Sequence, residues 1–535
     1  MKIHKGEVKM KRLLCILAAL LLLAAAAQAE ETLAGGVEFQ AGWDVKDNNR
    51  VFYEIFVGSF SDSDGDGIGD LRGIINRMDY LNDGDPASGK SLGIEGIWLT
   101  PIFLSPSYHK YDVTDYYRID PVFGTMEDLQ ELAALCHERG VKLILDLPMN
   151  HTGRENEWYQ RFLEAHRENR TTDRYWNYYT WYADGEALPP AGRFMQENGS
   201  ISVEANFSDE MPELNFDNPL VRRSMLRVGQ YYLNMGVDGF RFDAAKYLYL
   251  NDHEKNTAFW KWYIAELKKI NPEVYTVAEV WDSESVVLQY AGTVNCFRFS
   301  ASLAEGLLAS TAKGGNVSRF TADTERCLEE LHRFRPDAMN IFFLANHDTD
   351  RAAGFLTAAS WRMQMAANLY ILSPGSPFIY YGEEIGLRGS RGAAATDANR
   401  RLAMRWGDGD TVRDPEGSDY ESQTEDTVAD MQQNEKSLLN YYRRLLMIRK
   451  ANPEIARGAY QALAFEDTNA GGFLCTWNGH TAGVFHNPGK KEAVLDLRGI
   501  EGVSFEKIAA VIGKKDASFE DGILTIGSQT SVVLR

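Results

Sequence analysis

The sequence predicts an α/β fold: a (β/α)8 TIM barrel with an inserted subdomain after its third strand and a C-terminal antiparallel β-sandwich domain. Eight short apolar, β-rich runs recur along the chain with helical patterns between them, such as MEDLQELAALCHERG at 126–140. Nearly continuous apolar strands that alternate with helices indicate a parallel sheet covered by helices, and eight such units are typical of a closed barrel. The predicted strands are residues 51–57, 96–100, 142–147, 239–243, 275–280, 296–300, 340–346 and 377–382.

Two stretches of the chain do not fit the repeating pattern. The interval after the third run is too long for one helix and holds polar and aromatic sequence such as RYWNYYTWYADGEALPPAGR. A structureless loop of that size is uncommon, which favours an inserted subdomain. After about residue 456 the pattern changes to short alternating strands with Gly and Asn turns, typical of an antiparallel β domain. The predicted division is a signal peptide (1–29), the first part of the catalytic barrel (44–150), an inserted subdomain B (151–205), the second part of the barrel (206–455) and a C-terminal β domain (456–535).

The N-terminus has the pattern of an export signal. Lys9, Lys11 and Arg12 precede an apolar run at 13–27, and the tripeptide AQA that ends at Ala29 supplies small residues for cleavage. The apolar run is shorter than the roughly 20 residues that a transmembrane helix requires. We therefore expect a secreted or periplasmic protein that is cleaved near Ala29 and keeps no stable membrane anchor.

Composition and cysteine usage exclude some classes of function. The formal net charge of −20 makes nucleic acid an unsuitable partner, since no basic patch offsets the repulsion. The cysteines after the signal show neither a CxxC pair nor zinc-type spacing, which favours buried free thiols over a disulfide framework. The four cysteines are Cys136, Cys296, Cys327 and Cys475. The sequence does not indicate the oligomeric state.

The stretch SDSDGDGIGDLRG, at 61–73, has the spacing of a loop that binds a hard cation. Read against the 12-residue EF-hand loop, its aspartates fall at ligand positions 1, 3, 5 and 9. Position 12, which requires a bidentate glutamate, is Gly73. A cation is expected here, but the lever that would move a following helix is missing. The predicted metal ligands are Asp62, Asp64, Asp66, Asp70 and the carbonyl of Ile68.

Carboxylates stand at the ends of three predicted barrel strands, where the functional groups of such barrels gather. Asp243 ends the fourth run, Glu279 lies at the end of the fifth, and Asp348 follows the seventh. Taken singly, such a residue is more often a helix cap or an ion-pair partner. Together they fit glycoside cleavage, which needs one ionised and one protonated carboxyl group. Arg241 shares a strand face with Asp243 by period-two alternation, and its charge would keep Asp243 ionised.

Six segments resemble, in order and spacing, the conserved regions of the α-amylase family of glycoside hydrolases: GIEGIWLTPIF, DLPMNHT, MPELNFDN, GVDGFRFDAAK, VAEVW and FLANHDTDR. The resemblance covers residues 51–406 and implies an α-glucan or maltooligosaccharide substrate. It implies that Asp243 is the nucleophile, Glu279 the general acid/base, and Asp348 a carboxylate that binds sugar hydroxyls and stabilises the transition state. The implied mechanism is a retaining double displacement.

The same resemblance assigns substrate contacts and a metal. It implies that Tyr111 stacks beneath the cleaved sugar, that Arg241, His151 and His347 surround it, and that Lys246 contacts the reducing-end side. Loops similar to 61–73 hold a structural calcium ion in this family. Asn150 matches a ligand of a second calcium in many α-amylases, and a loop hydrogen bond is an equally good interpretation.

Several positions bear on the reaction that the family member would catalyse. Ala244 resembles members that cleave α-1,4 bonds, and Tyr108 stands where exo-acting α-glucosidases usually carry Asp, so an open cleft and an endo-acting α-amylase are expected. The alternatives are an α-glucosidase, a cyclomaltodextrinase or a transglycosylase, and a catalytically inactive amylase-like ectodomain.

Glu213 departs from the aspartate that is usual in the MPDLN motif of the family. Trp176, Tyr179 and Trp181 of the insertion are either a sugar-stacking platform or the core of the subdomain.

Overall fold

The computed structural model describes residues 47–197, 199–356, 360–392, 396–500 and 503–535, and the predicted signal peptide lies outside them. Seven parallel strands form one curved sheet in which strands that follow one another in the chain are neighbours, and the first strand also pairs with the last. The strands are Phe52–Ile55, Gly96–Leu99, Lys142–Leu147, Gly239–Phe242, Tyr275–Ala278, Asn295–Cys296 and Phe378–Tyr380. The predicted limits of the domains stay a prediction.

The predicted seventh strand closes the barrel through two parallel bridges. Ile341 pairs with Phe297 on one side, and Phe343 pairs with Phe378 on the other. The backbone N–H of Phe378 donates to the carbonyl of Phe342 at 2.8 Å, which joins this segment to the last strand. Residues 340–346 therefore fill the gap between the two edges of the sheet. The predicted (β/α)8 barrel is confirmed.

The interior of the barrel is filled by aromatic and branched side chains. The rings of Phe52 and Phe378 stack with their centroids 4.7 Å apart, and Phe297 packs edge-on against Phe378 at 5.0 Å. A Cβ atom at Gly96 would lie 2.4 Å from the Phe52 ring, so a larger residue at this position would clash with the ring. Because the barrel is packed and not a pore, a ligand can bind only at its ends.

Helices surround the sheet and bury one face each against it. Val317–Phe334 is typical: Phe320, Leu328 and Leu331 are buried, while charged residues cover the outer side, and the side chain of Asn316 caps its first turn. The longer helices are Met126–Glu138, Pro219–Asn234, His253–Leu267, Glu284–Ala291, Val317–Phe334, Ser360–Ile371 and Leu438–Ala451, and the shorter ones are Leu71–Asn76, Met78–Leu81, Leu307–Ala312, Ala352–Phe355, Val428–Gln433 and Glu454–Arg457.

The segment between the third and fourth barrel strands forms a small unit of its own. The helix Glu157–Arg167 packs beside a three-stranded antiparallel sheet of Trp181–Ala183, Ile201–Glu204 and Phe194–Glu197. Tyr179 is completely buried and packs on Phe162, so this tyrosine belongs to the core of the unit. A short antiparallel pair, Phe103–Leu104 and Asp115–Ile119, precedes it after the second barrel strand.

Two antiparallel sheets form the C-terminal part, as predicted. Its inner face shares one apolar core with the barrel helices, to which Phe473, Val484 and Val533 contribute. The amide of Asn368 donates to Ser531 Oγ at 2.9 Å across this contact. The five-stranded sheet contains Ala459–Ala462, Gly471–Trp477, His480–Asn487, Thr530–Leu534 and Ile508–Gly513, and the three-stranded sheet contains Ala493–Asp496, Ile523–Ile526 and Ala517–Glu520.

All cysteines of the described chain are free and buried, as the sequence indicates. Burial raises the pKa of Cys327 to about 12 and moves the pKa of the other thiols in the same direction. The four thiols are Cys136, Cys296, Cys327 and Cys475.

Within the described ranges, no helix has the length and apolar character to cross a membrane.

Candidate active site

Arg241 is the centre of a charged cluster at the carboxyl ends of the barrel strands. Its guanidinium is fully buried, and Nη1 donates to Asp146 Oδ1 at 2.8 Å and to Asp243 Oδ1 at 2.6 Å. Nη2 lies 2.9 Å from Glu279 Oε2. A buried cation is tolerated because carboxylates pair with it closely. One side chain therefore brings together the ends of the third, fourth and fifth strands.

Burial and neighbouring charge set the protonation of the Asp243 and Glu279 pair. Burial raises the pKa of Glu279 to about 7, the Arg241 charge opposes this, and the nearby Asp243 adds to it. Burial also raises the pKa of Asp243, and the shorter contact with Arg241 offsets part of that rise. The backbone N–H of Ala244, which has φ of +47°, donates to Glu279 Oε2 at 3.1 Å. Near neutral pH the pair thus holds a proton, and we assign it to Glu279.

Asp348 is kept ionised by two cations. His347 Nε2 lies 3.0 Å from Asp348 Oδ2, and Arg401 Nη2 donates to Oδ1 at 2.8 Å. Burial alone would raise the pKa of Asp348, but His347 and Arg401 hold it far below its usual range. Burial likewise opposes the charge on His347, yet Asp348 and Glu54 raise the pKa of that imidazole to about 10. His347 is therefore an imidazolium at neutral pH.

Tyr111 and His151 complete the predicted contacts around the carboxylates. The Tyr111 ring stacks on the His347 ring at 5.5 Å, and its hydroxyl donates to Asp146 Oδ2 at 2.9 Å. His151 is buried, and that burial lowers its pKa to about 4, so its ring is neutral. The structure thus brings Tyr111 and His347 into the Arg241 cluster, with His151 beside the Tyr111 backbone.

Lys246 does not pair with the acids of the Arg241 cluster. Its ammonium donates to the carbonyl of Trp281 and to Asp282 Oδ2, both at 2.8 Å. These contacts tie the loop after the fourth strand to the loop that follows Glu279. Trp281 is 44% exposed, and its ring stacks on Phe299 at 4.8 Å.

Two residues of the site do not follow from sequence patterns. Glu54, in the first strand, accepts from His347 Nδ1 at 2.5 Å and is almost fully buried. A lone acid in the apolar run VFYEIFV was the available signal. Arg401 donates from Nη1 to the Tyr108 hydroxyl at 3.0 Å as well as to Asp348. Its segment, ANRRLAMRW, contains several arginines and does not indicate which of them enters the site.

Three of the predicted metal ligands come together in the loop after the first strand. Oxygen atoms of Asp62, Asp64 and Asp70 all lie within 4.8 Å of one another. Hard carboxylate oxygens at this spacing fit Ca²⁺. Asp62 also accepts from the backbone N–H groups of Gly65 and Gly67, each at 2.8 Å, and these bonds fix the loop.

Asp66 is outside that cluster. Its carboxylate accepts from the backbone N–H of Ile68 at 2.7 Å, and it is exposed to solvent. A second segment holds the loop from the other side: Thr411 Oγ1 donates to Asp62 Oδ2 at 2.6 Å, and the backbone N–H of Asp62 donates to Asp410. The residues present therefore fit a calcium ion bound by three aspartates.

Asn150 lies next to a buried acid, Glu213. Glu213 is 3% exposed and accepts from the backbone N–H of Asn206 at 3.0 Å. Burial, with the nearby Glu204, raises the pKa of Glu213 to about 8. His151 and Glu213 pair as a backbone bridge at this joint between barrel and insertion.

Comparison with known proteins identifies the family of the chain. The family model described as "Alpha amylase, catalytic domain" matches residues 54–458. The chain is 33% identical over 500 residues to Alpha-amylase 3 of Dictyoglomus thermophilum, covering 91% of this chain and 93% of that protein. It is 32% identical over 346 residues to the 4-alpha-glucanotransferase of Thermotoga neapolitana, covering 63% and 72%. The solved structure of Eubacterium rectale Amy13B superimposes with a TM-score of 0.86 at 31% identity, covering 95% of this chain and 98% of that one. The chain therefore belongs to the α-amylase family.

Proposed function

We propose that the protein is a retaining, endo-acting glycoside hydrolase that cleaves α-1,4-glucosidic bonds in starch and maltooligosaccharides. One observation carries this proposal: Asp243 and Glu279 contact the two terminal nitrogens of a single buried guanidinium, that of Arg241. Two carboxyl groups held on one guanidinium are close together. That favours the separation of roughly 5 to 5.5 Å of retaining enzymes over the wider spacing that admits a water for inversion.

The charges of the site suit each step of a double displacement. Glu279, which holds a proton near pH 7, protonates the leaving glycosidic oxygen while the ionised Asp243 attacks the anomeric carbon. The glycosyl–Asp243 ester is then cleaved by water, which Glu279 deprotonates. Asp348, ionised by His347 and Arg401, accepts sugar hydroxyls and stabilises the positive charge that develops on the ring.

The substrate class follows from the contacts around these acids. The Tyr111 ring offers an apolar face to a sugar, and Tyr108 stands in the position where an Asp would favour a closed, exo-acting pocket. The name of the Dictyoglomus thermophilum relative supports an amylase.

Asp243→Asn tests the proposal directly. Because the amide cannot form the glycosyl ester, we expect less than about a thousandth of wild-type hydrolysis of soluble starch and blocked p-nitrophenyl maltoheptaoside. Wild type should release mixed oligosaccharides early, with the α anomer first in proton NMR. Glucose as the sole early product would decide against endo-action, and a β anomer against retention. Unchanged thermal unfolding of the variant is the control.

A glucanotransferase is the second candidate. Trp281 is exposed two residues after Glu279 and is held flat on Phe299, so an acceptor sugar could stack there and compete with water. The relative from Thermotoga neapolitana, a 4-alpha-glucanotransferase, supports this alternative. Products longer than the substrate in the maltoheptaoside time course would favour transfer.

We also propose export of the protein and a structural calcium ion in the loop 61–73. The basic residues and the apolar run at 1–29 support export. Three clustered aspartates support the ion. Mass spectrometry of the secreted protein should find an N-terminus at Glu30 if cleavage follows Ala29.

A further inference from the structure

A cavity of about 470 Å³ lies between the inserted unit and the loop after the fourth barrel strand. This volume is within the range of sites for small ligands. One wall is the subdomain sheet with Trp181 and Tyr182, and the other includes Tyr249 and Lys255. The predicted catalytic and substrate-binding residues are not among its lining residues. The cavity is therefore separate from the cleavage site.

Aromatic rings in this cavity are held in place before any ligand binds. Trp181 is partly exposed, and its indole Nε1 donates to Asn177 Oδ1 at 3.0 Å while the ring meets His166 edge-on at 4.3 Å. The Tyr249 hydroxyl accepts from Arg222 Nη2 at 2.6 Å. Fixed rings lose little conformational entropy on binding, and they offer flat apolar faces of the kind that pack on sugar rings.

The polar groups around these rings favour a neutral ligand with many hydroxyls. Glu204, Asp217 and Asp252 line the cavity together with one ammonium group. That group, on Lys255, lies 3.6 Å from Asp217 Oδ2 and 5.0 Å from the centre of the Tyr249 ring. The excess of acids opposes anions such as phosphate, while carboxylate oxygens accept well from hydroxyls.

The walls of the cavity continue along the chain into segments that carry residues of the cleavage site. Its wall at 215–217 continues from Leu214, whose backbone N–H donates to the carbonyl of Asn150 at 3.0 Å, at the end of the third strand. Its other wall, at 248–252, follows Lys246 within a few residues. Both walls of the cavity are therefore built from segments that adjoin the loops after the third and fourth barrel strands.

We propose that this cavity is a second carbohydrate site, in which a segment of α-glucan stacks on Trp181 outside the cleavage site. The inference rests on the proposed function for the identity of the sugar. The segment comes either from the far part of the chain that is being cleaved or from a separate chain. Both sources present the same chemistry to the cavity.

Calorimetric titration of maltoheptaose into Glu279→Gln protein tests the site. Trp181→Ala in this background should weaken affinity about tenfold if one chain spans both sites, or reduce the stoichiometry from two to one if separate chains bind. Trp262→Ala is the matched control, since Trp262 is partly exposed, packs on Phe259 at 5.6 Å and is not among the lining residues. Its titration should equal that of the parent.

A second variant tests the site independently, in case Trp181→Ala does not fold. Asp217 is exposed, so Asp217→Ala should fold normally and weaken binding about threefold by loss of one hydrogen bond. With Glu279 restored, Trp181→Ala should lower the ratio of kcat/KM on soluble starch to that on blocked p-nitrophenyl maltotrioside.

The outcomes separate the two proposals. If Trp181→Ala and Asp217→Ala titrate like Trp262→Ala while wild type hydrolyses starch, the second site is wrong and the proposed function stands. If Glu279→Gln protein binds no maltoheptaose and wild type cleaves no starch, both proposals are wrong.

Discussion

At the scale of single residues, the site assigns opposite protonation states to neighbouring acids. Glu279 is buried beside another acid, which raises its pKa to about 7, whereas Asp348 is paired with the His347 imidazolium and the Arg401 guanidinium. Burial raises the pKa of both carboxyl groups, and the difference arises because only Asp348 is paired with both His347 and Arg401. These states suit the proposed mechanism, in which proton donation and charge stabilisation belong to different carboxyl groups.

The alkaline limb of activity should report the Glu279 proton. In the proposed mechanism the protonated Glu279 is the acid, and its pKa is about 7, so kcat/KM on maltooligosaccharides should fall as pH rises above 7, approaching tenfold per pH unit. The measurement is kcat/KM from pH 5 to 9. In Glu279→Gln, residual activity on an aryl substrate that needs no acid should lack this limb. A wild-type limb with its midpoint above pH 9 would contradict the assignment.

Arg401 should act by positioning Asp348. Arg401→Ala removes a charged hydrogen bond of 2.8 Å to the carboxylate, so we expect kcat/KM to fall by about ten- to a hundredfold. Arg401→Lys should recover part of the loss. Tyr108→Phe, which removes a different hydrogen bond of the guanidinium, is the matched control and should cost less than about fivefold. A larger effect of Tyr108→Phe would show that the tyrosine and not the arginine governs the site.

The pairing of Arg241 with Asp243 could be predicted from sequence, whereas the roles of Glu54 and Arg401 in the site could not. Arg241 and Asp243 are two residues apart on one strand, so period-two alternation places them on one face. Glu54 meets His347 across 293 residues, and Arg401 meets Asp348 across 53. No local period encodes such contacts; they arise only when the barrel closes.

At the scale of elements, the loop 61–73 is fastened to a distant segment by backbone and side-chain bonds. The backbone N–H of Arg413 donates to the carbonyl of Gly67 at 2.9 Å, and that of Met404 donates to the carbonyl of Ser59 at 2.8 Å. Arg77 reaches Asp410 at 2.8 Å. The segment that carries Arg401 into the site therefore also holds the proposed calcium loop.

Removal of calcium should loosen this pair of segments. Chelation should lower the Tm of wild type by several degrees, because an ion that binds only the folded chain stabilises it. Asp64→Ala should abolish this sensitivity to chelation. Asp66→Ala, which alters an aspartate outside the cluster, should retain it. If chelation leaves the wild-type Tm unchanged, the structural calcium is wrong; if both variants become insensitive, Asp66 is also a ligand.

The barrel strands were accessible from the sequence as apolar runs, but their exact form was not. The run at 340–346 is present as two bridges, at Ile341 and Phe343, and the sixth strand is reduced to Asn295–Cys296. Hydrophobic runs report burial, whereas regular pairing depends on the curvature that each strand meets in the closed barrel.

At the scale of the whole molecule, cavity size alone does not locate the site. A cavity of about 760 Å³ lies at the opposite end of the barrel, lined by Tyr275, Asn295 and Asn340 near the starts of their strands. It contains none of the paired carboxylates of the Arg241 cluster. Chemistry gathers instead at the end where strands finish and loops converge.

The C-terminal domain should unfold together with the barrel because they share one core. Val533 is 1% exposed and belongs to that core, so Val533→Asp should lower the free energy of unfolding by several kcal/mol and reduce activity at moderate temperature. Val494→Asp, in the same domain at a position 61% exposed, is the control. Calorimetry should show one transition. Retained activity after a separate low-temperature transition of Val533→Asp would contradict the shared core.

The four buried thiols make the described chain ready for site-specific labelling. Since burial disfavours their thiolate forms, a maleimide dye should react first with any cysteine introduced on the surface. Asp217→Cys and Pro190→Cys would place two dyes across the mouth of the 470 Å³ cavity without removing a native cysteine. Energy transfer between them would then follow the distance from insertion to barrel while a glucan binds.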